Sequence, residues 1–274
     1  MLKNIIIAGK NKIACNFLKY INYNYLNYNL FSIPNNDDNG IDGWQPSFKK
    51  LSLDHKIKII NLKDSYLIDN SIFISCEFNK IINPDLFNHN NLFNIHFSKL
   101  PEYKGMYTST LPILHNKKIS GVTLHKIDQG IDTGDIIDQI VFNISKNNTA
   151  YNLYEKYNKY GLILLKKNIN NLINNNFKTI KQSSENSSYY SKKSLNFNNI
   201  QIDYNKTANE IKNQIHGFSF IYYQLPEFNK IKIINAEILD TKNTKKPKSI
   251  IIETINYIII STIDYDIKLN KFIC

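Results

Sequence analysis

Apolar residues at the start of the chain alternate between short runs and helically spaced sets. Residues 4–8 form a short apolar run, which is typical of a strand buried on both faces of a sheet. Gly9 ends this run, and apolar residues then recur at helical spacing, at Ile13, Phe17, Leu18 and Ile21. Further short runs predict more strands, at residues 30–33, 57–62 and 71–75. Alternating strands and helices predict a parallel α/β sheet with right-handed crossovers.

The pattern changes in the second half of the chain. Residues 149–173 place most apolar side chains on one stripe, which predicts a long amphipathic helix. A polar segment at residues 182–188 predicts a linker, and Thr207 and Glu210 have the spacing of a capping box. Strand-like runs follow at residues 231–234, 249–255 and 257–263. We therefore predict an α/β domain over residues 1–180, and a linker, a short helix and a small β-rich domain over 181–274.

Composition narrows the class of protein. The chain has 274 residues, of which 42% are hydrophobic and 21% charged, which excludes a disordered, collagenous or coiled-coil protein. No apolar run approaches the roughly 20 residues that span a bilayer, and the N-terminal apolar stretch is too short for a secretory signal. Three cysteines, Cys15, Cys76 and Cys274, lie far apart and form no CxxC pair. We therefore expect a cytoplasmic protein with no membrane partner and no bound metal.

The net charge of +11 normally suggests a nucleic-acid partner. Here all 34 basic residues are lysine, and asparagine and isoleucine are abundant, a composition typical of an AT-rich genome. Arginine, the better bidentate ligand for phosphates and bases, is absent from the sequence. We therefore expect no nucleic-acid partner, although a basic surface favours anionic ligands in general.

Residues 94–105 carry the first candidate chemistry. In an extended segment Asn94 and His96 project to the same side, and ligands of open α/β sheets bind at the carboxyl ends of strands. A histidine can relay a proton, and an amide N–H can stabilise a developing oxyanion. Taken alone, the pair is a weak signal, because a histidine at a strand end is more often a structural residue than a catalytic one.

Residues 121–135 form the second candidate stretch, a strand that runs into a loop with two glycines and three acids. A calcium loop is the simplest alternative, but Gly130 and Thr133 occupy positions where that loop requires a carboxylate or amide and its glycine. The sequence contains no P-loop, no GxSxG elbow, no dinucleotide fingerprint and no His/Cys metal cluster.

Together the two stretches resemble a known family. The order Asn-X-His-X-Ser-X-Leu-Pro-X-Tyr-Lys-Gly, then Gly-Val-Thr-Leu-His-X-X-Asp-X-Gly-X-Asp-Thr-Gly-Asp, is similar to the formyltransferases that use N10-formyltetrahydrofolate. The resemblance covers about residues 1–180 and implies a Rossmann-like catalytic domain. It places the catalytic triplet on Asn94, His96 and Asp132. It also implies a folate site across residues 75–82, and we assign to folate binding Ser75, Phe78, Ile81, Ile82 and Asp128.

These residues suit formyl transfer. Asn94 and His96 can stabilise a tetrahedral oxyanion, and Asp132 can hold His96 or an ordered water for proton relay. Phe78, Ile81 and Ile82 can form apolar walls around a pterin, with plain core packing as the alternative.

Members of this family differ in the amine that accepts the formyl group. Methionyl-tRNA formyltransferases usually continue after the Lys/Arg-Gly with an Ala-Ala-Pro-Ile-Gln type segment, whereas Met106-Tyr107-Thr108 follows Gly105 here. They also carry a larger basic C-terminal domain. The chain is most similar to enzymes that formylate dTDP-linked 3-amino-3,6-dideoxyhexoses for surface glycans, such as lipopolysaccharide, and methionyl-tRNA formyltransferase is the alternative. The sequence leaves open the position of the amine on the sugar, the stereochemistry of the sugar and the nucleotide base. It also leaves open the oligomeric state, for which a homodimer is one possibility.

The resemblance also predicts residues for a nucleotide-linked amino sugar. Segments similar to those near the nucleotide sugar in such enzymes contain Tyr190, Lys192, Lys193, His216, Phe218, Tyr222 and Tyr223. Lysines can bind a pyrophosphate and aromatic rings can stack on thymine, although a solvated surface is an alternative for the lysine pair. Lys10 and Asn11 can hold a phosphate at a helix N-terminus. Trp44 either covers the sugar or base, or anchors a loop.

Overall fold

The computed structural model describes residues 2–242 and 244–273, so Cys274 lies outside the described residues. Its first part alternates strands and helices, as the hydrophobic pattern predicts. The elements are β1 (Asn4–Gly9), α1 (Asn11–Asn24), β2 (Asn29–Pro34), α2 (Phe48–Asp54), β3 (Lys58–Ile59), α3 (Leu62–Tyr66), β4 (Ser71–Cys76) and β5 (Leu92–His96). β1 pairs in parallel with β2 and β4, so that Ala8 lies opposite Ile33 on one side and Ser75 on the other.

The next elements extend this sheet and add a long helix. They are β6 (Lys104–Gly105), α4 (Leu111–Leu114), β7 (Ile119–Lys126), β8 (Ile136–Asn143), α5 (Ala150–Ile173) and β9 (Tyr189–Tyr190). The large sheet has the strand order β3-β2-β1-β4-β5-β7-β8. Its pairs from β3 to β5 are parallel, and β7 then runs antiparallel to β5. β6 and β9 form a separate two-stranded sheet.

The C-terminal part consists of one helix and an antiparallel sheet. Its elements are α6 (Ala208–Phe218), β10 (Glu227–Phe228), β11 (Ile231–Ile238), β12 (Ile250–Glu253), β13 (Tyr257–Ile260) and β14 (Ile267–Lys271). The sheet order is β10-β11-β14-β13-β12, with antiparallel pairs throughout. The capping box of α6 forms as predicted, since Thr207 Oγ1 accepts from Glu210 N–H at 3.2 Å and Glu210 Oε2 from Thr207 N–H at 3.0 Å.

Each sheet has a core that follows from the sequence pattern. In the large sheet, Ile6, Phe73 and Leu92 are buried in one cluster. In the C-terminal part, Ile211 and Ile215 of α6 join a buried cluster with apolar residues of the antiparallel sheet. Burial of such side chains contributes about 1.5–3 kcal/mol each to folding. The predicted α/β fold with a β-rich C-terminal part is confirmed.

The chain forms two compact units that are discontinuous in sequence. The first comprises residues up to 105, 121–141 and 156–189, and the second comprises 106–120, 142–155 and the residues from 190 onward. The predicted division at residue 180 stays a prediction. The two compact units differ from this predicted division because residues 106–120 and 142–155 belong to the second unit.

One predicted strand is much shorter in the structure. The apolar run at residues 57–62 predicts a strand, but β3 spans only Lys58–Ile59. Asn61 and Asp64 form a capping box, with hydrogen bonds of 3.0 and 3.1 Å, that starts α3 at Leu62. The cap therefore ends the strand inside the apolar run.

Among the described residues, no helix combines the length and the hydropathy that crossing a bilayer requires.

Candidate active site

Asn94 and His96 lie at the carboxyl end of β5, two residues apart, as the motif predicts. The antiparallel register with β7 places Asn94 opposite His125. Asn94 Nδ2 lies 3.1 Å from His125 Nε2 and donates to Asp132 Oδ1 at 3.2 Å. The predicted triplet, together with His125, therefore forms one cluster in the first unit.

Asp132 is held in the loop after β7 by backbone and side-chain contacts. Its φ is +55°, a left-handed conformation that non-glycine residues adopt rarely. The N–H of Gly105 donates to Asp132 Oδ2 at 2.8 Å, and His96 Nδ1 lies 3.4 Å from the same oxygen. The carboxylate thus connects the end of β5 to the backbone of β6.

The environment keeps the Asp132 carboxyl ionised. Burial alone would raise its pKa, but His96, His125 and the Gly105 N–H favour the charged form and hold the pKa well below its usual range. At neutral pH the group is a carboxylate. Since an efficient general base has a pKa near the working pH, Asp132 is better suited to orient and charge-stabilise His96 than to take up the proton itself.

His125 lies beside both Asn94 and Asp132. Its Nδ1 lies 2.7 Å from the Lys126 carbonyl oxygen, so Nδ1 carries a proton, and its Nε2 lies 3.5 Å from Asp132 Oδ1. Asn94 Nδ2 faces the same two groups, at 3.1 Å from His125 Nε2 and 3.2 Å from Asp132 Oδ1. His125 was not among the predicted site residues. Its place in the second motif is the sequence signal for it.

His96 faces an acceptor with each ring nitrogen. Its Nε2 lies 2.8 Å from the Tyr103 carbonyl oxygen, and its Nδ1 faces Asp132. An imidazolium, with a proton on each nitrogen, donates to both acceptors at once. The side chain is 9% exposed, so these two contacts largely define its surroundings.

Gln182 supports the loop from the segment that the sequence predicts to be a linker. Its Nε2 donates to the carbonyl oxygens of Asp132 and Gly134, at 2.8 Å each. Its Oε1 is buried and has no hydrogen-bond partner in the described part of the chain. A buried acceptor without a partner costs free energy, and an N–H group of a ligand would satisfy it. The polar composition of residues 182–188 gives no signal for this role.

We expect Gly134→Ala to lower the free energy of unfolding by about 1–3 kcal/mol, because a Cβ at Gly134 would lie 1.9 Å from the Lys126 carbonyl oxygen. That oxygen belongs to the backbone and cannot rotate away. Urea denaturation measures the change. Gly43→Ala is the matched control, since a Cβ there meets nothing within 4 Å. Equal stability of the two variants would contradict the predicted close approach.

Comparisons with known proteins identify the family. A profile for formyl transferases matches residues 56–169. An N-formyltransferase from Helicobacter canadensis, solved in complex with folinic acid and dTDP-3-aminofucose, is 44% identical to this chain. It has a TM-score of 0.90 over 99% of this chain and 100% of its own. The chain belongs to the formyltransferase family. This confirms the family that the motifs indicate.

Other relatives of this formyltransferase are consistent with that assignment. WlaRD, a sugar 3N-formyl transferase solved in the presence of dTDP and 5-N-formyl-THF, is 47% identical, with a TM-score of 0.91 over 99% of this chain and 98% of its own. Methionyl-tRNA formyltransferase of Clostridium tetani is 36% identical over 163 residues, or 58% of this chain. The chain spans about half, 51%, of the length of that curated relative.

The predicted folate residues of the formyltransferase occupy different environments. Ser75 is buried near the end of β4, opposite Asn94. Ile82 is buried in the core cluster of the large sheet, with Phe78 packed against it, whereas Ile81 is 76% exposed. Asp128 accepts from Gly130 N–H at 3.1 Å and from a threonine hydroxyl. Core packing thus accounts for Ile82 and Phe78, and their folate role stays a prediction.

Three predicted substrate residues meet in one cavity of the first unit. Lys10, Asn11 and Trp44 line a space of about 210 Å³ formed with the loop that follows β2. Lys10 Nζ forms an ion pair with Asp37 at 2.9 Å, and Lys10 is also the N-cap of α1. Trp44 is 43% exposed. An anionic ligand in this cavity would face the N-terminus of α1 and Lys10, but also Asp37 and Asp38, which line the same space.

The predicted substrate residues of the second unit are spread over several environments. Lys192 and Lys193 are exposed in a 3-10 turn, and Tyr190 lies 5.9 Å from the His115 ring. Phe218 contacts the Phe197 ring edge-on at 6.0 Å. Tyr222 and Tyr223 are largely exposed, whereas His216 is buried and lines a separate cavity in this unit. These seven residues do not form one contiguous cluster, and their role in substrate binding stays a prediction.

The described residues contain no group of three or more His, Cys, Asp or Glu side chains that could hold a metal ion.

Proposed function

We propose that this formyltransferase moves a formyl group from N10-formyltetrahydrofolate to the amino group of a dTDP-linked 3-amino-3,6-dideoxyhexose used for surface glycans. The observation that carries the proposal is the likeness, over nearly the whole chain, to two sugar-type N-formyltransferases solved with folate and dTDP ligands. The cluster of Asn94, His96 and Asp132 supplies groups that suit the reaction.

The folate donor supplies a formyl carbonyl, and the protein must stabilise the negative charge that develops on its oxygen. Asn94 can donate an N–H to that oxygen when it releases its present acceptor, Asp132 Oδ1. His96 can donate from its ring. A well-placed donor of this kind contributes about 3–4 kcal/mol to transition-state stabilisation.

The proton that leaves the attacking amine must reach the departing folate nitrogen. The imidazole of His96 is the group in the cluster that can carry this proton, since Asp132 is held as a carboxylate. Asp132 faces Nδ1 of His96 at 3.4 Å and can orient the ring. We therefore assign proton relay to His96 and its orientation to Asp132.

The surroundings of this cluster suit the folate. Gln182 Oε1 is a buried acceptor without a partner among the described residues, as a site that receives an N–H group requires. Folate binding is proposed for the residues predicted from the sequence, Ser75, Phe78, Ile81, Ile82 and Asp128. For the nucleotide sugar, the cavity of Lys10, Asn11 and Trp44 offers a cation, an amide and an aromatic ring.

The buried thiols of Cys15 and Cys76, both free cysteines, support a reducing compartment. We therefore propose that the enzyme works in the cytoplasm. A homodimer stays a prediction, as does the lack of a nucleic-acid partner.

Acceptor assays test the proposed function. The purified enzyme is given the folate donor with dTDP-linked amino sugars or with charged initiator tRNA, and formylation is followed by mass spectrometry. We expect formylation of the 3-amino sugar, none without the folate donor, and unchanged rates in EDTA. Efficient formylation of the tRNA alone would overturn the proposal, and steeply salt-dependent tRNA binding would accompany that result.

A further inference from the structure

Helix α6 carries a polar stripe opposite its buried face. Asn209, Lys212, Asn213 and His216 recur at spacings of three and one, which places them on one side of the helix. Ala208, Ile211 and Ile215 are buried on the other side. The stripe is therefore a polar side of the helix separate from these apolar residues, and His216 within it is itself buried.

This stripe forms one wall of a cavity of about 140 Å³ within the second unit. Four lysines from three parts of the sequence line the cavity. They are Lys117 and Lys118 after α4, Lys146 after β8, and Lys212 on α6. Among the described residues that line it, none is acidic. The cavity is therefore a local concentration of positive charge.

The described residues that line the cavity offer no acidic side chain to Lys146 and Lys212. Burial and the nearby Lys146 lower the pKa of Lys212, an effect that Glu237 partly opposes. Lys212 Nζ donates to a neutral amide, Asn147 Oδ1, at 3.3 Å. Glu237 is itself engaged by Lys268, at 3.6 Å, and accepts from an asparagine amide. Like charges that are held close together repel one another, so this arrangement favours an anion.

His216 adds a neutral donor to the same cavity. It is 2% exposed, and its Nε2 accepts the Ala236 N–H at 3.2 Å. Burial and the nearby Lys212 lower its pKa to about 4, so the ring is neutral at physiological pH and its proton lies on Nδ1. Since Nε2 is occupied by the Ala236 N–H, Nδ1 is the donor of the ring, and a donor in a cavity lined by lysines suits an anionic oxygen.

We propose that this cavity binds a phosphate or diphosphate group, at a site separate from the catalytic cluster. The volume of about 140 Å³ equals roughly that of four or five water molecules, which suits a phosphate group better than a whole nucleotide. Lysine is a common phosphate ligand as a point charge, and this chain has no arginine to take that role. The group can come from inorganic diphosphate or from the phosphate end of a nucleotide.

The test measures diphosphate binding by calorimetry and by the unfolding temperature of the full chain. Lys146→Gln, Lys212→Gln and the double variant probe the cavity, and Lys63→Gln, an exposed lysine of α3, is the matched control. Lys10→Gln removes the cation of the proposed nucleotide cavity in the first unit, so that failure of the proposed function is distinguished from failure of this site.

In the Lys10→Gln background, which removes the cation of the other proposed site, we expect each cavity variant to weaken diphosphate binding by about tenfold and the double variant to abolish it, whereas Lys63→Gln retains it. The cavity variants should also unfold at a higher temperature without diphosphate, because a repulsion is removed, and gain less when it is added. Binding that survives the double variant in this background, or that Lys10→Gln alone removes, would overturn the site. Tighter binding of dTDP than of inorganic diphosphate at the same lysines would name a nucleotide as the source, and the reverse order the free anion.

Discussion

The His96→Asn and Asp132→Asn variants are expected to lose turnover by about two to four orders of magnitude while still binding the nucleotide sugar. His96 is the proposed proton carrier, and Asp132 faces it at 3.4 Å as a carboxylate. Both act on charge that develops only in the transition state, so kcat and kcat/KM should fall together. Steady-state kinetics gives both constants, and calorimetry with dTDP gives the affinity.

Matched controls separate this effect from general disturbance of the fold. His55→Asn and Asp54→Asn change the same residue types at the end of α2, away from the cluster. Both should keep near-normal kcat. If His96→Asn or Asp132→Asn kept a kcat close to that of the controls, the role assigned to that residue would be wrong.

Asn94→Ala should lower kcat by about 10²–10³-fold, the loss that follows removal of one oxyanion donor. The variant also removes the donor to Asp132 Oδ1 and the contact to His125 Nε2. Asn94→Asp should be at least as impaired, because a carboxylate has no N–H to donate and would stand beside the Asp132 carboxylate. Single-turnover kinetics measures the chemical step directly.

The control for this series is Asn24→Ala, an exposed asparagine at the end of α1 whose amide contacts only a backbone carbonyl. Its kcat should be unchanged. A rate for Asn94→Ala within a few-fold of this control would remove Asn94 from the list of oxyanion donors and leave His96 as the remaining candidate.

The sequence was sufficient to predict most of the strands and the position of Asn94 and His96 at the end of one of them. Buried strands such as β1 and β4 are continuous apolar runs, and that signal does not depend on distant residues. Asn94 and His96 lie together because a strand places residues i and i+2 on one side. Asp132 was assigned by resemblance to a family motif, and the structure brings it within 3.4 Å of His96.

Other parts of the site depend on geometry that local patterns do not encode. His125 reaches Asn94 through the antiparallel register of β5 and β7, which the intervening segment determines. Gln182 lies in a polar segment that has the composition of a linker, although its amide holds the Asp132 loop. Ile82 is apolar whether it contacts a ligand or the core, so periodicity could not assign it.

The five chain crossings between the compact units have a consequence for synthesis on the ribosome. The chain leaves one unit for the other after residues 105, 120, 141, 155 and 189. Domains usually fold in order as they emerge, but here the first unit cannot acquire its last segment until residue 189 has been made. The second unit waits longer still, since β14 pairs with both β11 and β13. The nascent chain therefore exposes apolar strands for most of its translation, and holding chaperones have their longest opportunity to bind before β14 emerges.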